Sequence, residues 1–173
     1  MAKVIVVNDR DEIVGYKDRN DRNQSDIIRV SGLWIFNDKK EVLIAQRAYD
    51  KVHDSAKWGP SVAGTVEEGE TYVSNAIKEA QEEVGLVVEE KDLILGPHRF
   101  TKTSHQYFYQ SFFVKTNLPI SAFVVQEKEV AQLQWIQIED LLKWVKDKPT
   151  DFIASFRTAD SSLYAVADFL SSL

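Results

Sequence analysis

Gly64-Thr65-Val66-Glu67-Glu68-Gly69-Glu70, then seven residues, then Lys78-Glu79-Ala80-Gln81-Glu82-Glu83-Val84-Gly85-Leu86, is the most informative stretch of this 173-residue chain. Six carboxylates fall within the 17 residues from Glu67 to Glu83. Thr71 to Val84 has the strongest helical pattern in the chain, opened by a capping threonine and stopped by Gly85. At about 100° per residue, Val73, Ile77, Ala80 and Val84 fall within roughly 60° of one another and predict a core stripe. Glu79, Glu82 and Glu83 fall within about 100° of one another, centred well over 90° from that stripe. Like charges so spaced cost a bare helix a few tenths of a kcal/mol per pair, and a hard divalent cation turns that repulsion into a site. The same glutamates also describe an ordinary solvated face, since glutamate is a good helix former. The glycine turn and the Trp58-Gly59-Pro60 loop before the helix favour a site, because they bring backbone amides and space to the acids.

Outward from the helix, the chain reads as strands. Val4–Val7 and Ile13–Gly15 flank the turn-forming Asn8-Asp9-Arg10-Asp11 and predict a hairpin. Asp18–Asp26 is a polar loop. Ile27–Phe36 and Val42–Ala45, joined by Asn37-Asp38-Lys39-Lys40, predict a second hairpin ending at Gln46-Arg47. Tyr49–Lys57 is loop-like, and Val62–Val66 leads into the acidic turn. Downstream, Phe100, Tyr107–Lys115 and Leu133–Ile138 are strand-like, Glu139–Lys146 is a short helix, and Ala159–Leu173 is a closing helix docking through Leu163, Val166 or Ala167, and Leu170. Several strands around one central helix, with further helices late, define an α/β or α+β domain.

Composition narrows the chemistry. There is no cysteine, which excludes a disulfide framework, a thiolate zinc site, a Cys-ligated iron–sulfur cluster and a cysteine nucleophile. Asp and Glu number 27 against 21 Lys and Arg, a formal charge of −6 that disfavours wrapping an extended nucleic acid. No segment approaches about 18 uninterrupted apolar residues, and Ala2 stands where myristoylation needs glycine, so a cytoplasmic protein without membrane attachment is expected.

The stretch from Gly64 to Leu86 resembles the Nudix box: glycine, five residues, glutamate, seven residues, arginine-glutamate, an aliphatic residue, one residue, two glutamates, one residue, glycine and an aliphatic residue. Every spacing holds over 23 residues. The departures are Lys78 for the family's arginine and the small Ala80 at the aliphatic position. The resemblance implies an α+β Nudix fold: an α/β/α sandwich with a mixed central sheet and the loop-helix of the box. One domain would span 1–173, with a hairpin and loop at about 1–30, the box at 64–86 and a helical segment at 147–173. It implies Mg2+ or Mn2+ as cofactor, with Glu82 and Glu83 as main ligands and Glu79 as a further ligand or the organiser of water. Glu70 would brace the box and help hold metal or water, and Gly64 would offer its carbonyl. Lys78 joins these acids in the catalytic set; it supplies the arginine's charge but not its bidentate fork.

Val6–Gly15, Leu43–Arg47 and Lys57–Gly64 resemble the isopentenyl-diphosphate-isomerase-like branch. Glu129-Val130, Trp135 and Glu139-Asp140-Leu141 resemble the family's late strand and helix, so the likeness covers about 4–146. That isomerase needs a cysteine opposite a glutamate and histidine metal ligands. Here the first histidine is His53, and Ser61-Val62-Ala63 stands at the cysteine loop. The resemblance therefore implies a hydrolase of a nucleoside diphosphate linked to another group, or of a related diphosphate. A silent Nudix-fold module that binds nucleotide or diphosphate, and a prenyl-diphosphate hydrolase, are the alternatives. The expected partner is a small diphosphate, nucleotides among the candidates, acting on a monomer or homodimer. Glu79, Glu127 or Glu129 would orient or deprotonate water. Arg47, ending a strand, would hold the diphosphate or is a solvated edge residue. Trp58 lines the pocket or anchors its loop, and Glu127 and Glu129 reach the metal or form a surface turn. His98, Arg99 and His105 bracket the aromatics Phe100 and Tyr107–Tyr109, which contact a leaving group or alternate into the core.

Overall fold

The computed structural model describes residues 2–173. Its centre is the strand expected at Ile27–Phe36, whose side chains divide by parity, as a pleated strand requires. Leu33 and Ile35 enter one apolar cluster, and Trp34 and Phe36 enter another on the opposite face. In chain order the strands are β1 (Val4–Val7), β2 (Ile13–Lys17), β3 (Ile27–Phe36), β4 (Glu41–Arg47), β5 (Trp58–Gly59), β6 (Val62–Thr65), β7 (Ile94–Lys102), β8 (Gln106–Lys115) and β9 (Val130–Gln137). They form one mixed sheet, in which β3 pairs antiparallel with β1 and β6 and parallel with β8 along its whole length. Helix α1 (Tyr72–Val84) covers one face, and α2 (Ile138–Asp147) with α3 (Ser162–Ser171) covers the other. The three layers are those of the α/β/α sandwich expected from the sequence.

The second hairpin forms its turn but not its ladder. Asn37 Oδ1 accepts from the Lys39 and Glu41 backbone N–H groups, each at 3.0 Å, yet β3 and β4 pair only at Phe36 and Val42. Beyond that point the fully buried Ser61 stands between them. Its hydroxyl accepts from Ile35 N–H at 2.8 Å and donates to the Leu43 carbonyl at 2.6 Å. The strands splay around this one side chain, and β4 takes β9 and β5 as its ladder partners.

Helix α1 has the expected ends. Thr71 Oγ1 accepts from Ser74 N–H at 3.1 Å, and Gly85 closes the helix at φ 69°. The face it buries is rotated from the expected stripe: Asn75, Ala76, Ala80 and Val84 are buried, whereas Ile77 is only half-buried. Small alanines let the helix lie close to the sheet, which draws Asn75 and Glu79 inward. The last helix starts at Ser162, not Ala159, because Ser161 is its cap, accepting from Leu163 N–H at 3.2 Å. No helix among the described residues is long and apolar enough to cross a membrane.

The N-terminal hairpin is locked to α1 through Asp11, held at φ 61°, a left-handed conformation that aspartate tolerates better than most residues. Its carboxylate accepts from Arg29 Nε at 2.7 Å and Tyr72 Oη at 2.9 Å, and lies 2.9 Å from His98 Nε2. Replacing Asp11 by alanine strands the mostly buried Arg29 guanidinium. Asp11→Ala is expected to lower unfolding free energy by about 2–4 kcal/mol, read as a reduced urea midpoint at unchanged m-value.

Candidate active site

Gly64 sits under Glu79: a Cβ there would lie 2.4 Å from Glu79 Cγ and 2.6 Å from its Cδ. The missing side chain is the space through which Glu79 crosses β6. Lys78 Nζ is the local counter-charge, 2.6 Å from Glu70 Oε1 and 3.4 Å from both Glu67 Oε2 and Glu79 Oε1. Burial alone would push the Glu70 carboxyl up, but Lys78, the Glu67 backbone N–H and the Asn75 amide together hold it below the ordinary range. Burial would lower the Lys78 ammonium, and the three surrounding glutamates raise it instead.

Glu79, Glu82 and Glu83 do not converge as the helical wheel suggested. Glu79 turns over Gly64 toward Lys78, Glu83 turns into the body of the protein, and Glu82 stays in solvent. No three histidine, aspartate or glutamate side chains among the described residues are gathered closely enough to form a ready-made metal cage. Glu79 takes Lys78 as its partner and Glu83 the Ala63 backbone N–H. Burial nevertheless pushes the Glu83 carboxyl up to about 8, with the Glu79 and Glu129 charges adding to the effect. The Ala63 backbone N–H and Arg47 offset it only in part. Glu79 is also raised, by burial more than Lys78 opposes.

The turn before β9 brings in one acid and leaves the other out. Glu129 lines a cavity of about 70 Å³ with Glu83 and Arg47, and its Oε2 lies 2.5 Å from Lys51 Nζ. Glu127 is exposed and lines neither this cavity nor the larger one beside it. Arg47 also lines a larger neighbouring cavity of about 330 Å³, and Pro60, Ala63 and Ile153 are common to both. The larger cavity is walled by Thr101, Tyr107 and Tyr109 from the β7–β8 hairpin, and by Ser155 and Ser161 from the C-terminal segment. His53 and His105 meet at its lining edge-to-face, centroids 6.1 Å apart, with Arg99 nearby.

Of the two expectations for Trp58, lining the pocket or anchoring its loop, its contacts are those of an anchor. It is 7 % exposed, its ring lies 5.7 Å from that of Trp144, and its carbonyl accepts from Ile153 N–H at 3.0 Å. It anchors the loop to the C-terminal segment. His98 likewise stacks on Phe108 and contacts Asp11, away from the cavity. Sequence reasoning did not single out Asn75, Lys51, His53 or the 153–162 wall. For Asn75 a signal existed: a polar residue one position from the alanine stripe.

The family model described as the NUDIX domain matches residues 27–156. Among curated relatives, isopentenyl-diphosphate Delta-isomerase from an Enterobacter species is 26 % identical over 153 residues, spanning 86 % of this chain and 84 % of that protein. An uncharacterized Nudix hydrolase of Listeria monocytogenes is 32 % identical over 107 residues, and the chain spans only 62 % of that protein's length, as of its own. The crystal structure of DR0079 from Deinococcus radiodurans superposes with a TM-score of 0.70 at 24 % identity, covering 84 % of this chain and 90 % of that one.

Between its ordinary value of 4.5 and about 8, Glu83 holds a proton in the folded chain but not in the unfolded one. Stability from this group therefore falls as pH rises through that window. In chelator-treated protein, Glu83→Gln is expected to match the wild-type melting midpoint near pH 5 and to exceed it increasingly toward pH 8. Thermal melts across that range check the sign, and a pH-independent gap would contradict it.

Proposed function

The chain belongs to the Nudix family, and from that premise we propose that it hydrolyses a phosphoanhydride bond in a nucleoside diphosphate linked to another group, or in a related small diphosphate, using Mg2+ or Mn2+. One observation carries this reading: Arg47 stands between a carboxylate-lined cavity on one side and a polar, aromatic cavity on the other. A diphosphate at Arg47 would have its charged part against the acids and its organic part in the larger space.

The donors are the oxygens a hard divalent cation takes, and since no three of these acids are gathered as they stand, they would draw together to hold it. These oxygens come from Glu79, Glu82, Glu83 and Glu129, with the Gly64 carbonyl and Glu70 adjoining, and the raised Glu79 and Glu83 carboxyls mark negative charge that a cation relieves. When bound, Mg2+ or Mn2+ neutralises the diphosphate and acidifies water at the site. Arg47 orients the diphosphate and stabilises charge on its non-bridging oxygens. Glu79, whose carboxyl is raised, orients water and takes its proton. Glu70 and Lys78 fix the turn of the box against α1.

Two features argue against the isomerase reaction of the first relative. The chain has no cysteine, and both hydrogen-bonding roles of the Ser61 hydroxyl are spent on β3 and β4. The larger cavity combines hydroxyls of Thr101, Ser155 and Ser161 with apolar side chains such as Val30, Ile153 and Ala165, a lining suited to an organic group of mixed polarity.

A panel of nucleoside diphosphate derivatives and prenyl diphosphates, run with each metal and with products identified, tests the reading. Metal-dependent release of a phosphorylated product is expected, with kcat/KM falling on the order of 100-fold or more in Glu83→Gln. Glu129→Gln is expected to lose roughly 10–100-fold, while Glu127→Gln stays at wild-type rate. Nucleotide binding without turnover across the panel would identify a silent module instead.

A further inference from the structure

Asn75 lies in the first turn of α1, next after the capping Ser74, at 0 % exposure and on the face that packs against the sheet. Its neighbours on that face, Ala76 and Ala80, are small and apolar. A buried amide costs stability unless its polar atoms are satisfied, and all of this one's are used. Oδ1 accepts from the Ser31 hydroxyl. Nδ2 donates to the Thr65 carbonyl at 3.0 Å and to Glu70 Oε2 at 2.8 Å, and reaches Glu79 Oε1 at 3.5 Å.

The two oxygens of Glu70 are thereby held by different residues. Lys78 Nζ takes Oε1 at 2.6 Å, while Asn75 Nδ2 and the Glu67 backbone N–H, at 2.9 Å, take Oε2. Both Lys78 and Asn75 also approach the same atom of Glu79, Oε1. An ammonium is a compact charge with no fixed plane, whereas a guanidinium grips two oxygens at once. We propose that Asn75 is a positioning residue that, together with Lys78, does the work of a single guanidinium: Lys78 supplies the charge, Asn75 supplies the second, directional donor, and the pair fixes Glu70 and aims Glu79 across Gly64.

A double-mutant cycle of Asn75→Ala, Lys78→Arg and the two combined tests this, with the Mn2+ dissociation constant read by EPR titration and kcat and KM read on the best substrate of the panel. In the wild-type background Asn75→Ala is expected to weaken Mn2+ binding roughly 10-fold or more and to lower kcat with KM little changed. In the Lys78→Arg background the same change is expected to cost no more than about 2–3-fold, because the guanidinium covers both oxygens. The thermal midpoint should fall by similar amounts in both backgrounds, since Ser31 and Thr65 lose their partner in each. Equal losses of Mn2+ affinity with lysine or arginine, or no loss in either, would overturn the proposal. If Asn75→Ala does not fold, Asn75→Leu fills the same space without the donor and is read the same way. The kinetic half rests on the hydrolase reading; the Mn2+ half does not, so an inactive protein that still shows arginine rescue separates the two.

Discussion

Ser61 holds two strands apart by binding both. A serine hydroxyl can donate and accept at once, and here it accepts from β3 and donates to β4 where a ladder would otherwise close. The gap is what lets Pro60 and Ala63 reach the cavities and lets Arg47 end its strand facing two chambers. Substituting any apolar residue would leave a buried N–H and a buried carbonyl without partners, which is far costlier than losing one exposed hydrogen bond. The cleft therefore depends on a side chain that takes part in no chemistry.

Charge in the cleft is balanced in pairs. Lys78 answers Glu70, Lys51 answers Glu129, and Arg47 lies among the charges that act on Glu83. Glu83, the most deeply buried of the box acids, receives the least compensation, and its carboxyl is the one pushed furthest from its ordinary value. This uneven distribution matters more than the overall charge of −6, because much of that charge is solvated and screened within about 10 Å.

The box, its helix and most strands were legible in the sequence because each rests on a local rule. Thr71 and Gly85 mark helix ends, and the unbroken apolar run Leu33–Phe36 marks a strand buried on both faces. What was not legible depends on contacts between distant segments. Nothing local distinguishes Glu127 from Glu129, two residues apart in one turn, yet only the second meets Lys51. Trp58 sits in a Gly-Pro loop that suggests exposure, and only α2 and the chain's last segment show why it is buried. The rotation of α1 likewise reflects how closely two alanines allow it to approach the sheet, which a wheel treating all apolar residues alike does not register.

The tie between Trp58 and the segment at Phe152 and Ile153 also bears on the order of assembly. A bridge and a hydrogen bond there join residues more than 90 positions apart, and closing so long a loop is entropically slow relative to forming α1 or a hairpin. The acidic helix and its turn reach back to Asp11 and Ser31, 61 and 44 positions away, whereas the wall of the larger cavity waits for the final stretch of chain. On a ribosome, the acidic helix and its turn emerge before the residues from 153 onward that wall the larger cavity.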